Sequence, residues 1–143
     1  MLKSISKHSW VLIFIVGLGI AYFAYDNLIV IPALPADHPE RGWLWLTSDP
    51  EVIEYIQTWF RSFGIWVLAV AIFVIVISVT GFRQGQRWAW YSLLYLPVHI
   101  GIHMFIWPWT VPVLFVLMLL TLAGLLLPFR IFFPTPDSKL PNI

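Results

Sequence analysis

An all-α integral membrane protein, a bundle of four spanning helices, is the fold class this sequence predicts. Three observations predict it. Only 10% of the 143 residues are charged and 60% are apolar, whereas an average soluble domain carries about a quarter charged residues. Four continuous apolar stretches each reach the ~20 residues that a helix needs to cross ~30 Å of hydrocarbon at ~1.5 Å per residue. The basic residues fall almost entirely on one side of the arrangement those stretches impose. High hydropathy excludes a disordered chain. The absence of Cys excludes a disulfide scaffold and thiolate chemistry. A net charge of +1 offers no field for nucleic acid.

The spans are expected at about residues 10–31, 59–80, 88–107 and 110–129 of a single transmembrane domain covering 1–143. The first carries Asp26 as its only charge, the second has none after Arg61, and the last two have no Asp, Glu, Lys or Arg. The runs are continuous rather than alternating, which favours helices over barrel strands. A cleaved signal peptide with Gly19-Ile20-Ala21 as its site fits the first stretch less well: the apolar run is long, and Tyr25-Asp26 has the character of an interfacial end.

Lys3, Lys7, Arg83, Arg87, Arg130 and Lys139 share one side if both termini are cytoplasmic. Asp37, Glu40, Asp49, Glu51 and Glu54 then lie outside with Arg41, and Arg61 sits at the outer membrane edge. Trp10, Trp88 and Trp90 are expected at the inner interface, and Trp43, Trp45, Trp59, Trp107 and Trp109 at the outer one, because the indole ring is amphipathic.

Residues 32–58 form the one sizeable loop. Pro32, Pro35 and Pro39 disfavour regular structure at its start, and the Trp43-Leu44-Trp45-Leu46 patch is too short to span. Ser48-Asp49-Pro50-Glu51 reads as a helix start, with Ser48 or Asp49 as cap and Pro50 in the first turn. Apolar residues at 52, 53, 56, 59, 60 and 63 give one wet face. A short amphipathic outer helix is therefore expected before span two, bending near Gly64. The remaining links, Gly81–Arg87 and Ile106–Trp109, are short and force antiparallel neighbours. The tail 130–143 is Pro-rich. Gly17, Gly19 and Ala21 permit close helix approach without forming a G-x-x-x-G pattern.

His99 and His103 are the residues most suggestive of chemistry. Their spacing puts both imidazoles on one helix face, together with Trp88, Ser92 and Tyr95. That polar edge is expected to face the bundle interior, since an ionisable group in a membrane span is functional by default. From Trp88, His99 lies ~16 Å up the helix and His103 ~22 Å; Asp26 lies ~24 Å above Trp10, and Arg61 ~28 Å above Thr80. The candidate site is thus His99, His103, Asp26, Tyr95 and Arg61 in one layer. Tyr95 and Thr121 could equally serve as bonds between helices. Pro97 removes a helix hydrogen bond and leaves the Leu93 carbonyl without its donor.

Gly81-Phe82-Arg83-Gln84-Gly85-Gln86-Arg87-Trp88-Ala89-Trp90-Tyr91 resembles a signature of small four-span bacterial membrane proteins to which no activity is attached. There a Gly- and Arg-containing turn runs into Arg-Trp-Ala-Trp at the start of span three. The resemblance covers residues 59–97, with Gln86 where an acidic residue is common. It implies the four-span architecture and carries over no catalytic residue. Read from the residues alone, Arg83 and Arg87 anchor to anionic headgroups, and Trp88 and Trp90 seat the helix start.

No nucleophile paired with a base is visible. The expected role is a non-catalytic accessory or scaffold subunit of a larger membrane complex, in the plasma (inner) membrane of a prokaryote. Its partners are then the bilayer and other membrane subunits or a second copy, with no cofactor. The alternative is a binder of a lipophilic ligand, quinone, haem or metal ion through the His pair, with oxidoreductase or isomerase chemistry on a lipid as the classes to test.

Overall fold

The computed structural model describes residues 8–35, 37–38, 47–106 and 111–134. Lys3, Lys7, Glu40, Arg41, the Trp43–Leu46 patch, the Trp107-Pro108-Trp109 turn and Lys139 lie outside the described residues. In chain order the elements are α1 (Ser9–Tyr25), a π-helical segment π1 (Asp26–Val30), α2 (Ile31–Ala33), α3 (Pro50–Ile77), π2 (Ser78–Phe82), α4 (Arg87–Leu93), α5 (Tyr95–Ile106), α6 (Val111–Leu126) and α7 (Phe129–Phe132). They combine into four helical stretches long and apolar enough to cross a membrane: Ser9–Ala33, Pro50–Phe82, Arg87–Ile106 and Val111–Phe132. The described residues contain no strand. The fold class is the all-α, four-helix membrane class that the hydropathy predicts.

The second stretch departs from expectation. The outer amphipathic helix and span two form one helix, α3, which runs through Gly64 without a break. Asp49 rather than Ser48 caps it, its Oδ1 accepting from the Glu51 N–H at 2.9 Å. Asp49 N–H in turn donates to Thr47 Oγ1 at 3.1 Å. With π2 the stretch has 33 residues, which is ~50 Å of helix against ~30 Å of hydrocarbon. The helix thus exceeds the hydrocarbon thickness, and its acidic residues, Glu51 and Glu54, lie in its first two turns.

Both π segments have local causes. Pro32 cannot donate to a carbonyl four residues back, and its ring crowds that carbonyl. The chain widens just before it, with Ile31 N–H bonding to Asp26 O. Buried Asn27 turns its Nδ2 onto the Phe23 carbonyl at 2.8 Å. In π2, Ser78 Oγ donates to Ile75 O at 2.7 Å and Thr80 Oγ1 to Val76 O at 2.6 Å. Side chains that bond back to the main chain compete with the regular ladder. Arg83 N–H then reaches Ser78 O, and Gln86 N–H reaches Gly81 O. Gly85, at φ +72°, reverses the chain, a conformation open to glycine at no steric cost.

Contacts divide the chain into two compact units: Met1–Gly17 with Val74–Ile143, and Leu18–Phe73. In the second, Gly64 lets α3 pass directly against π1. A Cβ there would stand 2.6 Å from Leu28 Cγ and 2.9 Å from the Leu28 nitrogen. Close approach, not a bend, is the work of that glycine.

In the first unit, glycines again set the crossings. A Cβ on Gly17 would lie 2.6 Å from Ile75 Cγ1, and one on Gly124 would lie 2.6 Å from Ile13 Cδ1. Lipid tails give helices no hydrophobic drive to associate, so shape fit of this kind holds them. Pro97 breaks span three at Leu94, where the N–H turns to Tyr91 O at 3.2 Å. The break falls at the carbonyl that the Pro97 ring crowds.

Candidate functional site

Tyr95, His99 and His103 lie on α5, four residues apart, and form a continuous polar ladder. The Tyr95 hydroxyl and His99 Nδ1 are 2.8 Å apart. With the hydroxyl donating, His99 carries its own proton on Nε2. The Tyr95 and His99 ring centroids are 5.1 Å apart, and those of His99 and His103 are 4.7 Å apart. Each ring is thus held by its neighbour on the same helix.

The ladder does not face the interior as its polarity suggests. The residues of span three that pack inward are Ala89, Trp90, Leu93, Leu96 and Ile100. Tyr95 is 56% exposed, and His99 and His103 are half-buried. The physical reason is that lipid tails are as apolar as a leucine side chain, so the apolar residues of the span gain nothing by facing one rather than the other, and shape fit rather than hydropathy chose the packed face. Packing against α6 chose it: a Cβ on Gly101 would stand 3.6 Å from Met118 Cε, an ordinary contact distance. Among the described residues, neither Tyr95 nor Thr121 bonds across helices. Thr121 Oγ1, fully buried, donates to Leu117 O of its own helix at 2.7 Å.

Asp26 and Arg61 belong to the other compact unit, on π1 and α3. Arg61 is exposed and Asp26 half-buried. Among the described residues no group of three or more His, Cys, Asp or Glu comes together to hold a metal ion. Two imidazoles can ligate a haem or a metal in part, whereas a structural metal site ordinarily needs four ligands.

The anchoring residues divide into two kinds. Trp88 is half exposed and its indole N–H donates to Gln86 Oε1. Trp90, placed by sequence at the interface, is buried, and its Nε1 donates to the Leu125 carbonyl at 3.0 Å. That carbonyl lies in the last turn of α6, where carbonyls lack intrahelical donors. Phe129 and Phe133 meet the Trp90 ring edge-on at 5.7 and 5.1 Å. Arg87 donates Nε to the Phe132 carbonyl at 2.9 Å and lies over the Phe133 ring. Arg83 stacks on Trp10, its guanidinium carbon 5.2 Å from the ring centroid.

These contacts surround a cleft of about 130 Å³ lined by Ser9, Trp10, Arg83, Gln84, Ile131 and Phe132, among others. Sequence reading does not find it, because it gathers the start of α1, the turn after π2 and α7, which are far apart along the chain. The available signal is the pair of arginines in the Gly81–Arg87 turn.

No protein-family profile matches this chain, and no curated protein or solved structure is significantly similar to it.

Proposed function

We propose that the chain is a non-catalytic subunit that docks laterally on other membrane helices, of another protein or a second copy, through the Tyr95–His99–His103 face. The observation that carries this reading is the half-exposed polar ladder on a helix whose opposite, apolar face is packed. Polar groups facing hydrocarbon are costly and find partners when a helix bearing polar groups covers them. Each such bond is worth ~0.6 kcal/mol on average, so three rungs and their shape fit supply a modest, specific association. The protein resides in a prokaryotic plasma membrane with both ends in the cytoplasm, the orientation its basic residues support.

The test is migration on native gels after extraction in mild detergent. The wild type is expected in an assembly larger than the monomer, and His99→Leu with His103→Leu is expected to release the monomer. A wild-type protein that is monomeric in native-membrane extracts overturns the reading. The stacked imidazoles support a second reading, a lipophilic ligand, quinone, haem or metal held by the pair. A Soret band or stoichiometric metal that disappears in His99→Ala or His103→Ala would establish that one and reject the first.

A further inference from the structure

The cleft formed by α1, π2 and α7 has no place in the lateral docking described above. We infer that it holds the phosphate of an anionic phospholipid. Three independent observations converge there.

The first is charge. The described residues of the first unit carry Arg83, Arg87 and Arg130 and no Asp or Glu. Arg83 lines the cleft and its contact is with the Trp10 ring, which orients a guanidinium without neutralising it. A planar guanidinium offers paired donors that match two phosphate oxygens. Gln84, also on the wall, accepts from Gln86 Nε2 through Oε1 at 2.8 Å. Its own NH2 group remains for an acceptor.

The second is depth. The cleft lies where Ser9 opens α1, where π2 ends and where α7 closes span four. All three are ends of membrane-spanning stretches, which is the level of the headgroups.

The third is the apolar wall. Trp10, Phe82, Pro128, Ile131 and Phe132 supply the large apolar side chains of the cleft. Ile131 and neighbouring Leu127 are 49% and 43% exposed. They give an acyl chain a path from the cleft towards the hydrocarbon. A free phosphate has the polar half of this chemistry and no use for the apolar half.

The experiment uses the full chain in mild detergent, titrated with a short-chain phosphatidylglycerol, with phosphatidylcholine of the same chain length and with inorganic phosphate, and read by native mass spectrometry. Phosphatidylglycerol is expected to be retained at the lowest concentration of the three. Arg83→Gln and Arg130→Gln each remove one charge, so simple surface attraction weakens equally in both. A lost guanidinium–phosphate contact falls on Arg83→Gln alone, which is expected to bind about tenfold more weakly than Arg130→Gln. Arg83→Lys, retaining the charge, guards against a fold defect and is expected to recover part of the affinity. Equal weakening in the two Gln variants, or equal retention of phosphatidylcholine, overturns the proposal. So does retention of inorganic phosphate as strong as that of the lipid, which would make the cleft a site for the free anion.

Discussion

Gly124 offers the sharpest test of how this protein is packed. An added Cβ would stand 2.6 Å from Ile13 Cδ1, 2.9 Å from Ile13 Cγ1 and 3.5 Å from Leu12 Cβ. Ile13 is 0% exposed, so its side chain has nowhere to move without displacing a neighbour. Overfilling a close-packed site costs about 1–3 kcal/mol. Against that, replacing a helical glycine by alanine gains about 1 kcal/mol. Gly124→Ala is therefore expected to lose about 0–2 kcal/mol. Gly124→Val adds two methyl groups beyond the alanine Cβ and recovers less propensity, so it is expected to lose about 1–3 kcal/mol. Ile13→Ala alone vacates a buried site and is expected to lose about 2–5 kcal/mol. Combined with Gly124→Val it removes the obstruction, and the pair should be less destabilised than the sum by about 0.5–3 kcal/mol. The assay is reversible unfolding in mixed micelles of mild detergent and dodecyl sulfate, followed by far-ultraviolet circular dichroism. Wild-type stability in Gly124→Val, or strict additivity in the double variant, would refute the close crossing of α1 and α6.

Two further outcomes follow from individual bonds. Trp90→Phe keeps an aromatic ring against Phe129 and Phe133 but deprives the Leu125 carbonyl of its donor; the same unfolding assay should show a loss of about 1–3 kcal/mol, and an unchanged midpoint would contradict the bond. Asp49→Ala removes the cap of α3, worth about 0.5–2 kcal/mol, whereas Ser48→Ala should be neutral. Amide exchange over residues 51–53 reads the difference, and equal fraying in both variants would contradict the assignment of the cap to Asp49.

Helix placement is largely legible in the sequence. The stretch expected to span at 10–31 is helical over Ser9–Ala33, and the one expected at 110–129 over Val111–Phe132. Pro97 leaves a kink and an ordinary membrane-helix proline both open, with the latter favoured; the structure breaks span three beside it, where a missing N–H and a crowded carbonyl act locally. Gly64 was misleading. Its composition suggests a flexible point, yet what it supplies is the absence of a side chain where Leu28 arrives. Neighbours distant in sequence decide such a role.

The candidate site divides in the same way. The rungs Tyr95, His99 and His103 follow from helical spacing, and the structure stacks them as the spacing demands. Their orientation did not follow, nor did the cleft beside Arg83, which brings Ser9 to residues more than seventy positions later.

Hydropathy by itself determined that this chain is helical and how often it is apolar enough to cross a bilayer. Those properties depend on transfer from water, which each segment undergoes on its own account. Only the tertiary structure decided which face of each span is covered. Once inside hydrocarbon every apolar face is equally content, and the choice passes to shape: a glycine opposite an isoleucine, and an indole N–H opposite a carbonyl left over at a helix end.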